Sequence, residues 1–481
     1  MIRRAEHFLS TSHASLSIGC QPLTMTRMKK MLHAPQSTPR GSLPRPLMRW
    51  AMPLLMVGCL ALLMLAGCGI TIHQGGDEIA FLRGSDLWVI QPDGTNARAL
   101  TSSAIVSLGW SPDHHQVLYR VLLHPGTLPP PSEARAVPDA LGSIVVIGVN
   151  GGYPLVLTRG SDDLLHGDPW WNPGGNRLLY REELTPTANT AYAPSYIVSQ
   201  SDQPAGIARK GLLDAASLPV LSSDGHQVAV LDGAGNLRLG APGDTGNILA
   251  SGALLALPGA NRPAHLLWQP QHDALLYPAS NGSGGVKLVL VGLDGKARWS
   301  LSVPALLDAA FSPDGSLLLV RTPSQFQVFT VGDSASSSAL YSWQESDVYA
   351  VPWWAPDSQR LVVYDQTGWT FVDVRQHVVQ QLLMAQAAAL PAGFAGGAPA
   401  QWHPATADPW NASGSQLVFA GASGDSWRGS ALPSSHGSSR GLYVVSITGD
   451  HPGTPTLIDS GNDILPAWSY PDPSTAFLIG A

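Results

Sequence analysis

Cysteine is nearly missing from this sequence: of 481 residues three are Cys, at positions 20, 59 and 68. Beyond position 68 there is therefore no disulfide, no thiol nucleophile and no Cys-based zinc site. Lysine is as scarce, with Lys210, Lys287 and Lys296 the only three after residue 50. Charged residues make up 13% of the chain, against about a quarter in an average domain. Residues 1–50 hold eight Lys or Arg and one acid, Glu6, a net +7, so the remainder carries −14 within an overall −7. An acidic body lacks the clustered Lys and Arg that phosphate neutralisation requires, which argues against nucleic acid as a partner. Gly (50) and Pro (40), by contrast, are abundant. Helical bundles and coiled coils exclude both from their interiors. A hydrophobic fraction of 44% with 15 Trp supplies ample apolar surface to bury and excludes wholesale disorder. Many short strands separated by turns use such a composition.

No charge occurs between Arg49 and Asp77, and WAMPLLMVGCLALLMLAGCGI has the basic flank and apolar centre of an export signal. The run closes on Leu65-Ala66-Gly67-Cys68, which resembles the bacterial lipoprotein lipobox. That resemblance implies lipidation of Cys68; an uncleaved transmembrane anchor is the alternative, since a run of about 20 apolar residues also spans a bilayer. Either way the body is expected outside the cytoplasm, in the cell envelope, tethered to the membrane. The expected divisions are a basic leader (1–49), disordered or preceding a later start at Met25, Met28 or Met31; a signal peptide or anchor (50–68); a short tether (69–76); and one domain (77–481).

That domain repeats one pattern eight times: GWSPDHHQVLYR (109–120), WWNPGGNRLLYR (170–181), VLSSDGHQVAVL (220–231), LWQPQHDALLYP (267–278), AFSPDGSLLLVR (310–321), WWAPDSQRLVVY (353–364), PWNASGSQLVFA (409–420) and AWSYPDPSTAFL (467–478). Trp110, Trp171, Leu221, Trp268, Phe311, Trp354, Trp410 and Trp468 hold one phase, with an apolar or aromatic residue nine positions later. A short strand ends at the key residue, a turn of Ser-Pro-Asp-Gly type follows as a type I turn, with departures at Ser223, Ala412 and Tyr470, and a second strand rich in Val, Leu and Tyr comes next. A third strand (Leu87 to Ile90, Val286 to Val291) and a fourth (Ala97 to Leu100, Pro154 to Leu157) complete the unit. Four antiparallel strands at a mean spacing of about 51 residues fit the blades of a β-propeller. The expected fold is all-β, an eight-bladed propeller in which Ile464 to Ser469 supplies the first strand of a blade begun at Glu78 to Leu82; seven blades are the alternative.

The Trp-Ser-Pro-Asp-Gly repeat resembles the TolB-type WD-like propeller family and, more loosely, the propellers of prolyl oligopeptidases. The likeness covers about residues 75–481, with Pro112, Pro173, Pro270, Pro313 and Pro356 and Asp113, Asp224, Asp314 and Asp357 in motif register. TolB also carries an N-terminal α/β domain, for which there is no room between Cys68 and Glu78, so its partnership with a peptidoglycan-associated lipoprotein does not transfer.

No catalytic, metal-binding or cofactor constellation is read. Gly437-Ser438-Ser439-Arg440-Gly441 matches a nucleophile elbow in letters, but a strand follows it where a helix is required. His114-His115 sits in a turn from which adjacent side chains diverge. Long insertions at 122–142, 183–195, 386–407 and 421–440 should share one face, opposite the tight turns. They nominate Trp402, His403, Trp427, Arg428, His436, Arg440, Glu133, Arg135 and Tyr192 as binding residues. Asp162, Asp163, Asp168, Glu345, Asp347, Asp408 and Asp463 fall where a channel mouth would lie. The expected function is a monomeric, membrane-tethered propeller that binds an unidentified protein or envelope ligand. The alternatives are a hydrolase or lyase acting on a glycan or peptide, and a structural envelope protein.

Overall fold

The computed structural model describes residues 78–84, 86–102, 105–121, 143–158, 164–184, 195–200, 210–212, 219–244, 246–258, 264–332, 338–345, 350–365, 368–384, 409–422, 424–432, 440–461 and 463–468. The chain divides into two compact units, Met1–Ile72 and His73–Ala481, and all described residues belong to the second. The leader, the apolar run, Cys68 and the whole tether lie outside the described residues. Among the described residues there is no helix, and so none long and apolar enough to cross a membrane.

Repetition of one local instruction builds the fold. In the turn after Trp110, the Ser111 hydroxyl donates to Asp113 Oδ1 at 2.5 Å and accepts from the Gln116 amide at 3.0 Å, while His114 N donates to Ser111 O. Ser222 and Ser312 repeat the arrangement with Asp224 and Asp314. Each turn thus satisfies its own polar groups before any tertiary contact forms. The fourth turn position is left-handed, φ +70° at Gly225 and +71° at Gly315, where a Cβ costs energy. The Ser222 hydroxyl and the His226 amide hold the Asp224 carboxyl below its ordinary range.

These hairpins assemble into eight antiparallel sheets, numbered here in chain order. Sheet 2 runs from Ile105–Trp110 to Leu155–Thr158, sheet 3 from Leu164–Trp171 to Lys210–Leu212, and sheet 4 from Val220–Leu221 to Asn247–Ser251. Sheet 5 runs from Leu267–Trp268 to Ala297–Val303, and sheet 6 from Asp308–Phe311 to Tyr341–Gln344. Sheet 7 runs from Val351–Trp354 to Val378–Met384. Sheet 8 combines Gln416–Ala422, Arg440–Thr448, His451–Pro452 and Thr456–Asp459, with a bridge from Trp410 to Leu417 marking its first strand. Sheet 1 combines Ile79–Arg83, Asp86–Ile90 and Arg98–Ser102 with Asp463–Trp468, which pairs antiparallel to Ile79–Arg83. Successive four-stranded antiparallel sheets of this kind are consistent with a β-propeller.

The hydrophobic cores lie between consecutive sheets. Ile79 and Phe81 of sheet 1 pack with Val418, Leu442 and Val444 of sheet 8, and Trp110 of sheet 2 packs with Val89 and Ala467 of sheet 1. Further cores join sheets 2 and 3, 4 and 5, 5 and 6, 6 and 7, and 7 and 8. Two of the repeated Trp residues add a polar tie, their indoles donating to the backbone of the preceding sheet. Trp110 Nε1 reaches Ala467 O at 3.0 Å and Trp410 Nε1 reaches Trp353 O at 3.2 Å.

One insertion is part of the sheet system. Ser426–Trp427 pairs with Leu383 and Met384 and then with Ser430–Ala431, so a hairpin from the sheet 8 connection caps the outer edge of sheet 7. Covering an edge removes a row of free backbone donors and acceptors.

Candidate functional site

Antiparallel order puts the connections between first and second strands, and between third and fourth, at one end of each sheet. The remaining connections lie at the other. At the first end, a side chain of one turn repeatedly bonds the backbone of the next sheet's turn. Asn172 Nδ2 donates to Ser223 O at 2.8 Å, Gln269 Nε2 to Gly315 O at 2.8 Å, and Arg360 Nη2 to Gly414 O at 2.8 Å. Ser358 Oγ accepts from the Asp314 amide at 3.0 Å. This end is sewn together. It is not uniformly plain, since residues 331–340 join the third and fourth strands of sheet 6 there.

The opposite end carries the longest connections, 122–142 and 385–409, and the 423–439 segment that contains the capping hairpin. Where sheets 7 and 8 meet at this end, Tyr364, Asp365, Asp425, Arg440 and Tyr443 gather. Asp365 and Asp425 are 7% and 4% exposed, and each is held by a backbone amide, Gly368 N to Asp365 Oδ1 at 3.0 Å and Ala422 N to Asp425 Oδ2 at 2.7 Å. Burial pushes the Tyr364 phenol up to about 12; Arg440 opposes the shift, and the charges of Asp425 and Asp365 add to it. Burial, with Asp425, also raises Tyr443. Tyr364 is therefore a neutral O–H group at physiological pH. Its ring lies 5.0 Å from Trp369, which stacks at 5.4 Å on Trp353. Of this cluster Tyr364, Trp369 and Arg440 are partly exposed, whereas Asp365, Asp425, Tyr443 and Trp353 are buried beneath them. Among the described residues no group of three or more His, Cys, Asp or Glu could hold a metal ion.

The residues expected from sequence divide sharply here. Trp427, nominated as a loop aromatic open to a ligand, is 5% exposed: it stacks on Phe419 at 5.2 Å and 3°, and its indole donates to Gly453 O at 2.9 Å. It is a packing residue because the hairpin folds back on sheet 7. Arg428 is exposed, and its Nη1 donates to Pro452 O at 3.0 Å. Arg440 joins the Tyr364 cluster. Asp463 is wholly buried and paired with Arg83 at 2.9 Å, not solvated at an open mouth. Asp168 lies in the strand Leu164–Trp171. Glu133, Arg135, Tyr192, Trp402, His403, His436, Asp162, Asp163, Asp347 and Asp408 lie outside the described residues, as does Cys68. The sequence reading missed Tyr364, Asp365 and Asp425. Asp365 followed by a Gly-containing turn was the one local hint, and nothing local marks Asp425 for burial.

No protein-family model and no curated protein sequence matches this chain. Among solved structures, the C-terminal WD40 domain of Sif2 aligns over 78% of this chain and 93% of its own, at 12% identity and a TM-score of 0.45. A eukaryotic initiation factor aligns over 82% and 99% at 11% identity and 0.43. A protein of unknown function from Desulfotomaculum acetoxidans aligns over 64% and 95% at 13% identity and 0.40. At these scores the likeness carries neither an activity nor a partner to this chain.

Proposed function

We propose that the eight sheets are the blades of one TolB-like, WD-repeat-like propeller closed by Asp463–Trp468, tethered to the outside of a membrane, and that it binds a protein or cell-envelope ligand through its loop-bearing end. The difference between the two ends carries this reading. One end ties its turns sheet to sheet, whereas the other carries the longest connections and the partly exposed Tyr364 and Arg440 above the buried Asp365 and Asp425. Rigid scaffolds that position variable loops are a common basis of recognition. The tether follows from the basic-flanked apolar run that ends at Cys68.

Replacing residues 388–400 with a short Gly-Ser link, with the 424–432 hairpin left intact, is expected to abolish capture of the native envelope partner by crosslinking pull-down while leaving the melting temperature unchanged. Retention of every partner by the shortened protein overturns the binding assignment. Metabolic labelling with a clickable fatty-acid analogue is expected to tag the wild-type protein and not Cys68→Ala. If the wild-type protein is membrane-bound but unlabelled, the apolar run itself is the anchor.

A further inference from the structure

Three charged side chains meet where the strand Asp463–Trp468 docks on sheet 1. Arg83 ends Ile79–Arg83, Asp459 ends Thr456–Asp459 of sheet 8, and Asp463 opens Asp463–Trp468. The guanidinium binds both acids, Nε to Asp463 Oδ1 at 2.9 Å and Nη2 to Asp459 Oδ1 at 2.6 Å, and lies over the Trp88 ring at 4.3 Å. Asp463 is 0% exposed, and its second oxygen accepts from Gly461 N at 3.2 Å. The other charged residues on the strands packed here are Asp86, opposite Arg83 in the hairpin, Arg440, which opens the strand paired with Thr456–Asp459, and Glu78, held at the far end by Arg98 at 2.8 Å. One cation thus faces two carboxylates. With both ionised the group carries one uncompensated negative charge beside the fully buried Asp463 carboxyl, Arg83 and Asp459 being partly exposed; with Asp463 protonated it is neutral.

We propose that Arg83, Asp459 and Asp463 form a proton-operated latch that holds Asp463–Trp468 on Ile79–Arg83 more tightly as the medium is acidified. The titration of the group agrees in sign. Burial pushes Asp463 up to about 6, Arg83 opposes the shift, and Asp459 adds to it, whereas the detached strand would titrate near the ordinary 3.8. A proton bound more tightly in the docked state means the strand is most secure below about pH 4 and loosens as pH rises to about 6. Two-state linkage between these values gives about a tenfold increase in strand opening from pH 5.0 to pH 7.5. The inference depends only on the pairing of this strand and is independent of any ligand.

Hydrogen exchange of the 463–468 amides, corrected for intrinsic chemical rates, tests it at pH 5.0 and 7.5, with the 286–292 strand of sheet 5 as internal reference. The wild-type protein is expected to gain about tenfold protection at pH 5.0 over the reference. Asp459→Asn leaves a one-to-one pair and is expected to show acid-level protection at both values. Asp463→Asn, which removes the buried charge itself, should do the same and serves if the first variant does not fold. A wild-type response equal to the reference strand, or an undiminished response in the folded variants, overturns the latch.

Discussion

Removal of residues 462–481 is expected to leave a protein that does not fold to a soluble monomer. Asp463–Trp468 supplies the fourth strand of sheet 1, and without it the Ile79–Arg83 edge is bare. Trp468, 1% exposed between Ile79 and Val418, is lost from the core shared with sheet 8, and the Trp110 indole loses its acceptor at Ala467. A cavity of Trp size and an orphaned indole cost about 3–5 and about 1–3 kcal/mol respectively. Together with the open edge they consume most of the 5–15 kcal/mol that a typical domain has. Size-exclusion chromatography and circular dichroism of the truncated protein check this. Moving residues 463–468 ahead of Glu78 through a flexible linker should restore a monomer, since strand pairing does not depend on which chain end supplies the strand. A truncated protein that is monomeric and melts like the full chain would falsify the closing role of this strand.

Trp410→Ala is expected to cost about 3–5 kcal/mol in urea denaturation. The ring is 0% exposed, lies 6.5 Å from Phe371, has the Arg360 guanidinium 5.6 Å away, and ties to Trp353 O through its indole. Trp410→Phe keeps most of the apolar burial but removes the indole hydrogen bond, so a loss of about 1–2 kcal/mol is expected. Trp268 occupies the same repeat phase yet is only half-buried. Trp268→Ala should therefore cost clearly less. Equal losses at 268 and 410 would mean that repeat phase, not packing, sets the effect.

What could be read from the sequence follows the range of the interactions. The repeated turns were legible because polar groups such as Ser222, Asp224 and Gln227 satisfy one another within five residues. The strands around them followed, with shifts of one or two positions such as Arg98–Ser102 against the expected 97–100. The C-terminal strand was legible from its aromatic phase, as Asp463–Trp468 against the expected 464–469. The capping hairpin was not. Ser426–Trp427 and Ser430–Ala431 are two residues each, too short for any period to register, and their partners at 383 and 384 lie some forty residues away. The buried acids were illegible for the same reason, because an acid survives burial only beside a partner or donor. Asp463 finds Arg83 across 380 positions. Trp427 looked like a loop aromatic only while the fold of its own segment was unknown.

The distance between Arg83 and Asp463 also sets a clock on biosynthesis. At roughly 5–20 residues per second, a ribosome needs about 20–75 seconds to add the 380 positions that separate them. Sheets 2 to 8 can each form as their strands emerge, but Ile79–Arg83 must wait, with its backbone edge open, for a partner made after every other described strand. The first strand of this body to leave the ribosome is thus among the last to be secured, and a pause in translation late in the message prolongs its exposure.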